Sequence, residues 1–383
     1  MELELNMATQ RILDFINTRR PNGPCMVLDL EVVRENYHNF EMALPESKIF
    51  YAVKANPAPE ILRLLASLGS NFDTASVAEA EMALDAGATA DRISFGNTIK
   101  KERDIARAFE LGIRLFAVDC IEEVEKVARA APGSRVFCRV LTDGAGAEWP
   151  LSRKFGCVPA MAVDVLLAAQ KLGLDSYGVS FHVGSQQTDL AAWDRALGDA
   201  KYVFDKLAME GITLKMVNMG GGFPTRYLKD VPTAQAYGQA IFQALSKHFG
   251  NRLPETIIEP GRGMVGNAGV IKAEVVLVSK KAANDNVRWV YLDIGKFGGL
   301  AETMDEAIRY QITTPRDGDL AEPCVLAGPT CDSADVMYEK NPYPLPISLT
   351  IGDEVLIEGT GAYTTTYSAV AFNGFEPLRS YVI

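Results

Sequence analysis

Lys54 closes an apolar run from Ile49 to Val53, within Tyr51-Ala52-Val53-Lys54-Ala55-Asn56-Pro57. The run reads as a buried strand, and Pro57 stops regular structure soon after. Long cations are seldom buried unless they are paired or used. Desolvation favours the neutral amine, which is a nucleophile able to form a Schiff base with an aldehyde. A strand-end lysine can also simply reach out into water, so the reading turns on its companions. Phe181-His182-Val183-Gly184-Ser185, Gly220-Gly221-Gly222-Phe223-Pro224 and Glu259-Pro260-Gly261-Arg262 each follow an apolar run, as Lys54 does. Asp73 and Arg139 lie inside two further runs.

A triple glycine lets backbone N–H groups approach an anion closely. Arg262 adds a bidentate donor suited to phosphate. Glu259, beside that arginine, is a carboxylate that suits a protonated pyridine nitrogen. His182 could be a hydrogen-bonded core histidine or lie flat against an aromatic ring. Lysine, anion cradle, carboxylate and histidine together describe pyridoxal 5'-phosphate (PLP) better than any other cofactor.

The elements that must position these groups alternate along the chain. The apolar runs are Ile49–Val53, Asn71–Ala75, Arg92–Phe95, Arg114–Val118, Arg135–Leu141, Tyr177–Val183, Lys215–Met219 and Thr256–Glu259. Between them, helical spacing predicts Pro59–Leu68, Val77–Ala86, Lys101–Leu111, Glu122–Ala131, Ala160–Leu172, Ala191–Glu210 and Ala234–Phe249. This arithmetic predicts an α/β chain with a (β/α)8 TIM barrel, whose active site lies at the C-terminal strand ends. After Arg262 the helical spacing fades. Ala268–Lys280, Val287–Ile294, Pro323–Ala327 and Ile347–Glu358 read as strands, with turn signals at Ala283–Asn286 and Asn341–Pro344. The expected division is a barrel over 27–265 and a mainly β domain from 1–26 and 266–383. A short helix over Thr9–Thr18 and a strand at Cys25–Leu30 precede the barrel.

Composition narrows the partners. The net charge of −11 argues against nucleic acid or an anionic membrane and is compatible with a small cationic substrate. Six scattered cysteines without a CxxC pair, and three histidines, give no metal cage. The acidic start lacks a signal-peptide pattern, and no run is long enough to span a bilayer. A cytoplasmic protein with free thiols is expected.

With these motifs in place, the chain resembles the alanine-racemase-like (fold type III) PLP decarboxylases, and within them the ornithine decarboxylase group. Phe72-Asp73-Thr74-Ala75-Ser76, Gly328-Pro329-Thr330-Cys331-Asp332-Ser333-Ala334-Asp335 and Gly361-Ala362-Tyr363-Thr364 extend the likeness over nearly the whole chain. The resemblance implies a head-to-tail homodimer with active sites shared between chains. It implies that Lys54 carries PLP, His182 stacks on the ring and Glu259 pairs with its nitrogen. Asp73 and Arg139 would sit near Lys54 and the ring. Ser185, Gly221, Gly222, Gly261, Arg262 and Tyr363 would hold the phosphate. Cys331 would protonate the product carbanion, Asp332 would bind the distal amine, and Phe372 would line the site.

The implied reaction is decarboxylation of L-ornithine to putrescine. Diaminopimelate decarboxylases typically carry Cys-Glu-Ser where this chain has Cys331-Asp332-Ser333, and a bare amine needs a carboxylate. The group's tyrosine-aspartate pair appears here as Asp305-Glu306, either of which could meet the amine. One methylene is worth only about 1–3 kcal/mol of discrimination, so lysine is an alternative or second substrate. Diaminopimelate decarboxylation, racemisation and a non-catalytic inhibitor role are the remaining rivals. The C-terminus is short for the group, which argues against carrying over a degradation signal.

Overall fold

The computed structural model describes residues 7–149 and 154–383. The chain divides into two compact units, one of Arg34–Pro224 with Val231–Met264, the other of the chain up to Val33 with Thr225–Asp230 and Val265–Ile383.

In the first unit eight parallel strands close into a barrel. They are Ser47–Ala52, Asn71–Thr74, Ile93–Phe95, Leu115–Val118, Arg135–Arg139, Asp175–Ser180, Met216–Asn218 and Glu255–Ile258. Each lies in or overlaps an expected run, and several stop short of its C-terminal end. Leaving the ladder early frees the next residues to form loops. The seven expected helices are present, from Pro59–Ser67 to Ala234–Phe249. An unanticipated helix, Leu30–Ala43, precedes the first strand. Its buried residues Val33, Tyr37 and Phe40 carry the helical spacing, and Asp29 Oδ1 accepts the Glu31 N–H at 3.0 Å at its start.

Phe50, Leu115, Ala117, Phe137, Met216 and Ile257 pack together inside the barrel. Strand side chains alternate with period two. The next inward position beyond Phe137 is therefore Arg139, beyond Met216 Asn218, and beyond Ile257 Glu259. An apolar layer thus underlies a polar one at the C-terminal strand ends, where barrel active sites form.

The second unit is a mainly β domain. Its sheet runs Gln311–Thr313, Glu354–Glu358, Gly269–Ser279, Arg288–Leu292, Ala321–Ala327 and Val336–Pro346. Cys25–Leu28 pairs antiparallel with Gly269–Lys272 and parallel with Arg379–Val382. The chain stays with this unit through Val33, beyond the expected boundary at residue 26. The first helix is Gln10–Arg19, with Thr9 Oγ1 capping the Ile12 N–H.

Two expectations for this unit fail. Asn341-Pro342-Tyr343-Pro344 is not a turn but part of the strand Val336–Pro346, with Pro344 opposite Pro323 and Tyr343 opposite Cys324. That strand ends the sheet order, where proline costs no ladder bond on the open side. The predicted strand Ile347–Glu358 shrinks to Glu354–Glu358. Its first half turns instead, with Leu349 N–H donating to Pro346 O and Asp353 N–H to Thr350 O.

Candidate active site

Lys54 is exposed on a 3-10 turn, Val53–Ala55, just beyond the strand that ends at Ala52. The strand beneath it is buried as expected, but the lysine itself is not. The turn is held from both sides. The buried Tyr51 hydroxyl donates to Asn56 O at 2.8 Å, and Asn56 Oδ1 accepts the Ala58 N–H at 3.1 Å.

Asp73 lies opposite Ala52 on the next strand and Ser94 on the one after. Ser94 Oγ donates to Asp73 Oδ1 at 3.1 Å. Burial, then the nearby Glu259 charge, pushes the Asp73 carboxyl well above its ordinary range, although Lys54 and Ser94 oppose this. Arg139 is drawn down by burial while Glu259 and Asp73 support its charge; a guanidinium stays protonated regardless.

Asn218, absent from the sequence reading, ties this floor together. Its Nδ2 donates to Glu259 Oε1 at 2.5 Å, and its Oδ1 accepts the Gly220 N–H at 2.9 Å. It stands on the inward phase two residues before the triple glycine, which was the available signal. Glu259 N–H in turn donates to Gly220 O at 2.8 Å. Pro260 O accepts the Ala52 N–H at 3.2 Å, binding the Glu259–Arg262 loop to the strand before Lys54.

His182 follows the sixth barrel strand. Its Nδ1 accepts the Gly184 N–H at 3.1 Å, and its carbonyl accepts Thr142 Oγ1 at 2.6 Å. Burial first, then Arg139 and Lys54, pushes the imidazole well below its ordinary value of 6.5. A β-carbon at Gly221 would stand 3.2 Å from His182 Nε2 and 2.6 Å from Glu259 O. Gly222 has φ +108°, and its β-carbon would meet Gly184 O at 2.5 Å. Buried Arg262 places Nε and Nη2 each 3.3 Å from Ser185 Oγ. Ser185 belongs to a short strand, Ser185–Gln187, paired with Ala147–Trp149. Gly261 O accepts the Met264 N–H at 3.0 Å where the Arg262 helical turn begins.

The first unit therefore brings together Lys54, Asp73, Arg139, His182, Ser185, Gly221, Gly222, Glu259, Gly261 and Arg262. A cradle that no side chain may enter, a buried guanidinium beside a hydroxyl and an anchored carboxylate fit a phosphorylated pyridine aldehyde held by a lysine.

The other predicted residues belong to the β unit. Cys331 is exposed, and its N–H donates to Asn373 Oδ1 at 2.9 Å. Asn373 has φ +51° and adjoins Phe372, whose ring centroid lies 5.0 Å from that of Phe297. Asp332 is exposed and caps its own turn, Oδ1 accepting the Ala334 N–H at 2.8 Å. Buried Asp335 pins this loop through Lys296 N–H, Thr330 N–H and Thr330 Oγ1. The sequence reading assigned no role to Asn373 or Asp335. Tyr363 has φ +55° and packs near Tyr367, with ring centroids 5.9 Å apart.

Asp305 and Glu306 part company. Glu306 accepts the backbone N–H groups of Glu339, Lys340 and Asn341, Asn341 Nδ2, and an ion pair with Arg309 at 3.0 Å. Burial would raise its carboxyl, but the bonds from Asn341, Glu339 and Lys340 outweigh this and hold it below the ordinary range. Asp305 has an 85% exposed side chain, paired among the described residues with Lys340 Nζ at 3.4 Å. Among the described residues no helix is long and apolar enough to cross a membrane.

Known proteins are similar to this chain in sequence and fold. A lysine/ornithine decarboxylase of Selenomonas ruminantium is 36% identical over 93% of this chain and 88% of its own length. The solved complex of SrLDC with PLP and cadaverine superposes with a TM-score of 0.86 at 34% identity, over 98% of this chain and 94% of that one. Antizyme inhibitor 2 of Xenopus laevis is 32% identical, over 96% of this chain and 82% of that protein. Residues 30–266 match the pyridoxal-binding domain of the pyridoxal-dependent decarboxylases, and the chain belongs to that family, whose cofactor is PLP.

Proposed function

We propose that this protein decarboxylates L-ornithine to putrescine and CO2, for polyamine biosynthesis, as a cytoplasmic homodimer with shared active sites. The observation that carries this reading is Asp332. Its loop is pinned by Asp335 and Asn373, and Asp332 Oδ2 is left without a hydrogen bond among the described residues. A carboxylate so held matches a bare ammonium tail. The headgroup of diaminopimelate carries a carboxylate of its own, which Asp332 would repel.

Bound PLP supplies the electron sink for the pair left when CO2 departs. Lys54 would hold the cofactor's aldehyde carbon, and Glu259, fixed by Asn218, would keep a proton on its ring nitrogen. Neutral His182 would lie against the ring without adding a charge. Gly221, Gly222, Gly261, Ser185, Arg262 and Tyr363 would hold the phosphate. Across the dimer interface Asp332 orients the distal amine, Phe372 lines the pocket, and the Cys331 thiol delivers a proton to the product Cα. Because Glu306 is committed to the Glu339–Asn341 backbone, Asp305 is the second acid we assign to the amine.

A second reading, lysine accepted beside ornithine, is favoured by the likeness to the Selenomonas enzyme. CO2 release by the purified protein with PLP tests both, with L-ornithine, L-lysine and meso-diaminopimelate offered separately. Release from ornithine supports the reading, and additional release from lysine adds the second. Release from diaminopimelate alone removes Asp332 from its role. Release from none of the three likewise removes Asp332 from its role, while the PLP barrel stands.

A further inference from the structure

Behind Arg139, on the outer side of its strand, two cysteines meet. Strand alternation turns Phe137 and Arg139 into the barrel and Cys138 away from it. Cys138 is fully buried, and its Sγ lies 3.7 Å from Sγ of half-buried Cys157. Cys157 is held there by backbone, not by chance packing. Its N–H donates to Arg139 O at 3.1 Å, and its carbonyl accepts the Leu141 N–H at 2.9 Å, forming a parallel bridge with Val140. Both thiols also point at Arg139 O, Cys157 from 3.7 Å and Cys138 from 4.0 Å. A disulfide needs its sulfurs about 2.05 Å apart, so the pair must close from 3.7 Å.

We propose that Cys138 and Cys157 are a reversible redox pair, which hydrogen peroxide converts to an intrachain disulfide and a small thiol returns to the dithiol. The sulfur of Cys157, the less buried of the two residues, attacks the peroxide. An S–O bond forms, the O–O bond breaks, and one water leaves. The Cys138 sulfur then attacks Cys157. The S–S bond forms, the S–O bond breaks, and the second water leaves. Two thiols lose two electrons and two protons, and one peroxide is reduced to two waters. The division of labour has an electrostatic basis. The hydrogen bond between the two sulfurs pulls the Cys157 thiol down, while that same bond and burial push Cys138 up. The thiolate is the nucleophile, so Cys157 reacts first and Cys138 resolves.

Nothing in this inference depends on the substrate or on turnover. The test treats the PLP-loaded protein with hydrogen peroxide, blocks remaining thiols by alkylation in denaturant, digests with trypsin and reads the peptides by mass spectrometry. The expected product links Val136–Arg139 to Phe155–Lys171, two hydrogens lighter than the separate peptides, and dithiothreitol before alkylation abolishes it. In Cys157→Ser the link is gone and Cys138 is alkylated. Recovery of both cysteines alkylated, or of Cys157 as sulfinate with Cys138 alkylated, overturns the proposal.

Discussion

Nδ1 of His182 accepts the Gly184 N–H, so the single proton of its neutral ring sits on Nε2. Burial, Arg139 and Lys54 all resist a second proton. Of the chain's three histidines, one should therefore show an Nε2–H tautomer that does not titrate between about pH 6 and 8 in nitrogen-15 spectra. Loss of that signal in His182→Ala would assign it. Titration of the His182 signal in that window would remove the neutral ring from the proposed site. The same variant should bind PLP about tenfold more weakly, the weight of one lost ring contact.

Lys54→Ala should abolish turnover and the visible absorbance of the lysine-bound cofactor, while PLP still binds non-covalently in the glycine and Arg262 cradle. Retained turnover would refute the assignment of Lys54. Lost binding altogether would place more of the affinity in the covalent link than the cradle suggests.

Asp73 makes a prediction about the cofactor-free protein. Its carboxyl is raised above the ordinary 3.8, by burial first and Glu259 second. The folded state thus holds that proton more tightly than the unfolded chain. This stability is fully present below the ordinary value and is lost as pH rises through the raised one. Asp73→Asn cannot ionise and keeps an acceptor for Ser94. In urea titrations it should match the parent near pH 4 and exceed it at neutral pH. An equal pH dependence in both proteins would show that Asp73 is ionised in the fold.

Glu306 and Asp305 should separate cleanly. Glu306→Gln turns amide hydrogens toward backbone N–H groups and should cost about 1–3 kcal/mol of stability. Asp305→Asn removes only an exposed ion pair, so its stability should stay within about 0.5 kcal/mol of the parent. Its kcat/KM for ornithine should nonetheless fall roughly tenfold if it meets the amine, a loss of about 1.4 kcal/mol. The opposite pattern, with stability lost through Asp305 and kcat/KM through Glu306, would reverse the assignment.

Gly221→Ala sets a β-carbon 2.6 Å from Glu259 O and 3.2 Å from His182 Nε2. The backbone oxygen has little room to yield, so overpacking should cost about 1–3 kcal/mol. PLP titration followed by absorbance should show the affinity falling more than ornithine KM rises. Unchanged affinity would exclude the cradle as the phosphate site.

The sequence alone determined the barrel, because apolar runs and helical spacing are local patterns that survive without coordinates. It also placed polar residues at the strand ends, since period two carries an inward side chain from Phe137 to Arg139 and from Ile257 to Glu259. The same logic could have found Asn218 before the triple glycine. Leu30–Ala43 was equally readable from Val33, Tyr37 and Phe40. Only tertiary structure decided the rest, because those roles depend on partners distant in the chain. Pro342 and Pro344 signal a turn locally, yet an edge position in a sheet accommodates them. Asp305 and Glu306 are adjacent acids in sequence. Backbone more than thirty residues away consumes the second and leaves the first exposed. Cys138 and Cys157 carry no motif, and they meet only because Cys157 returns to bond the carbonyl of Arg139.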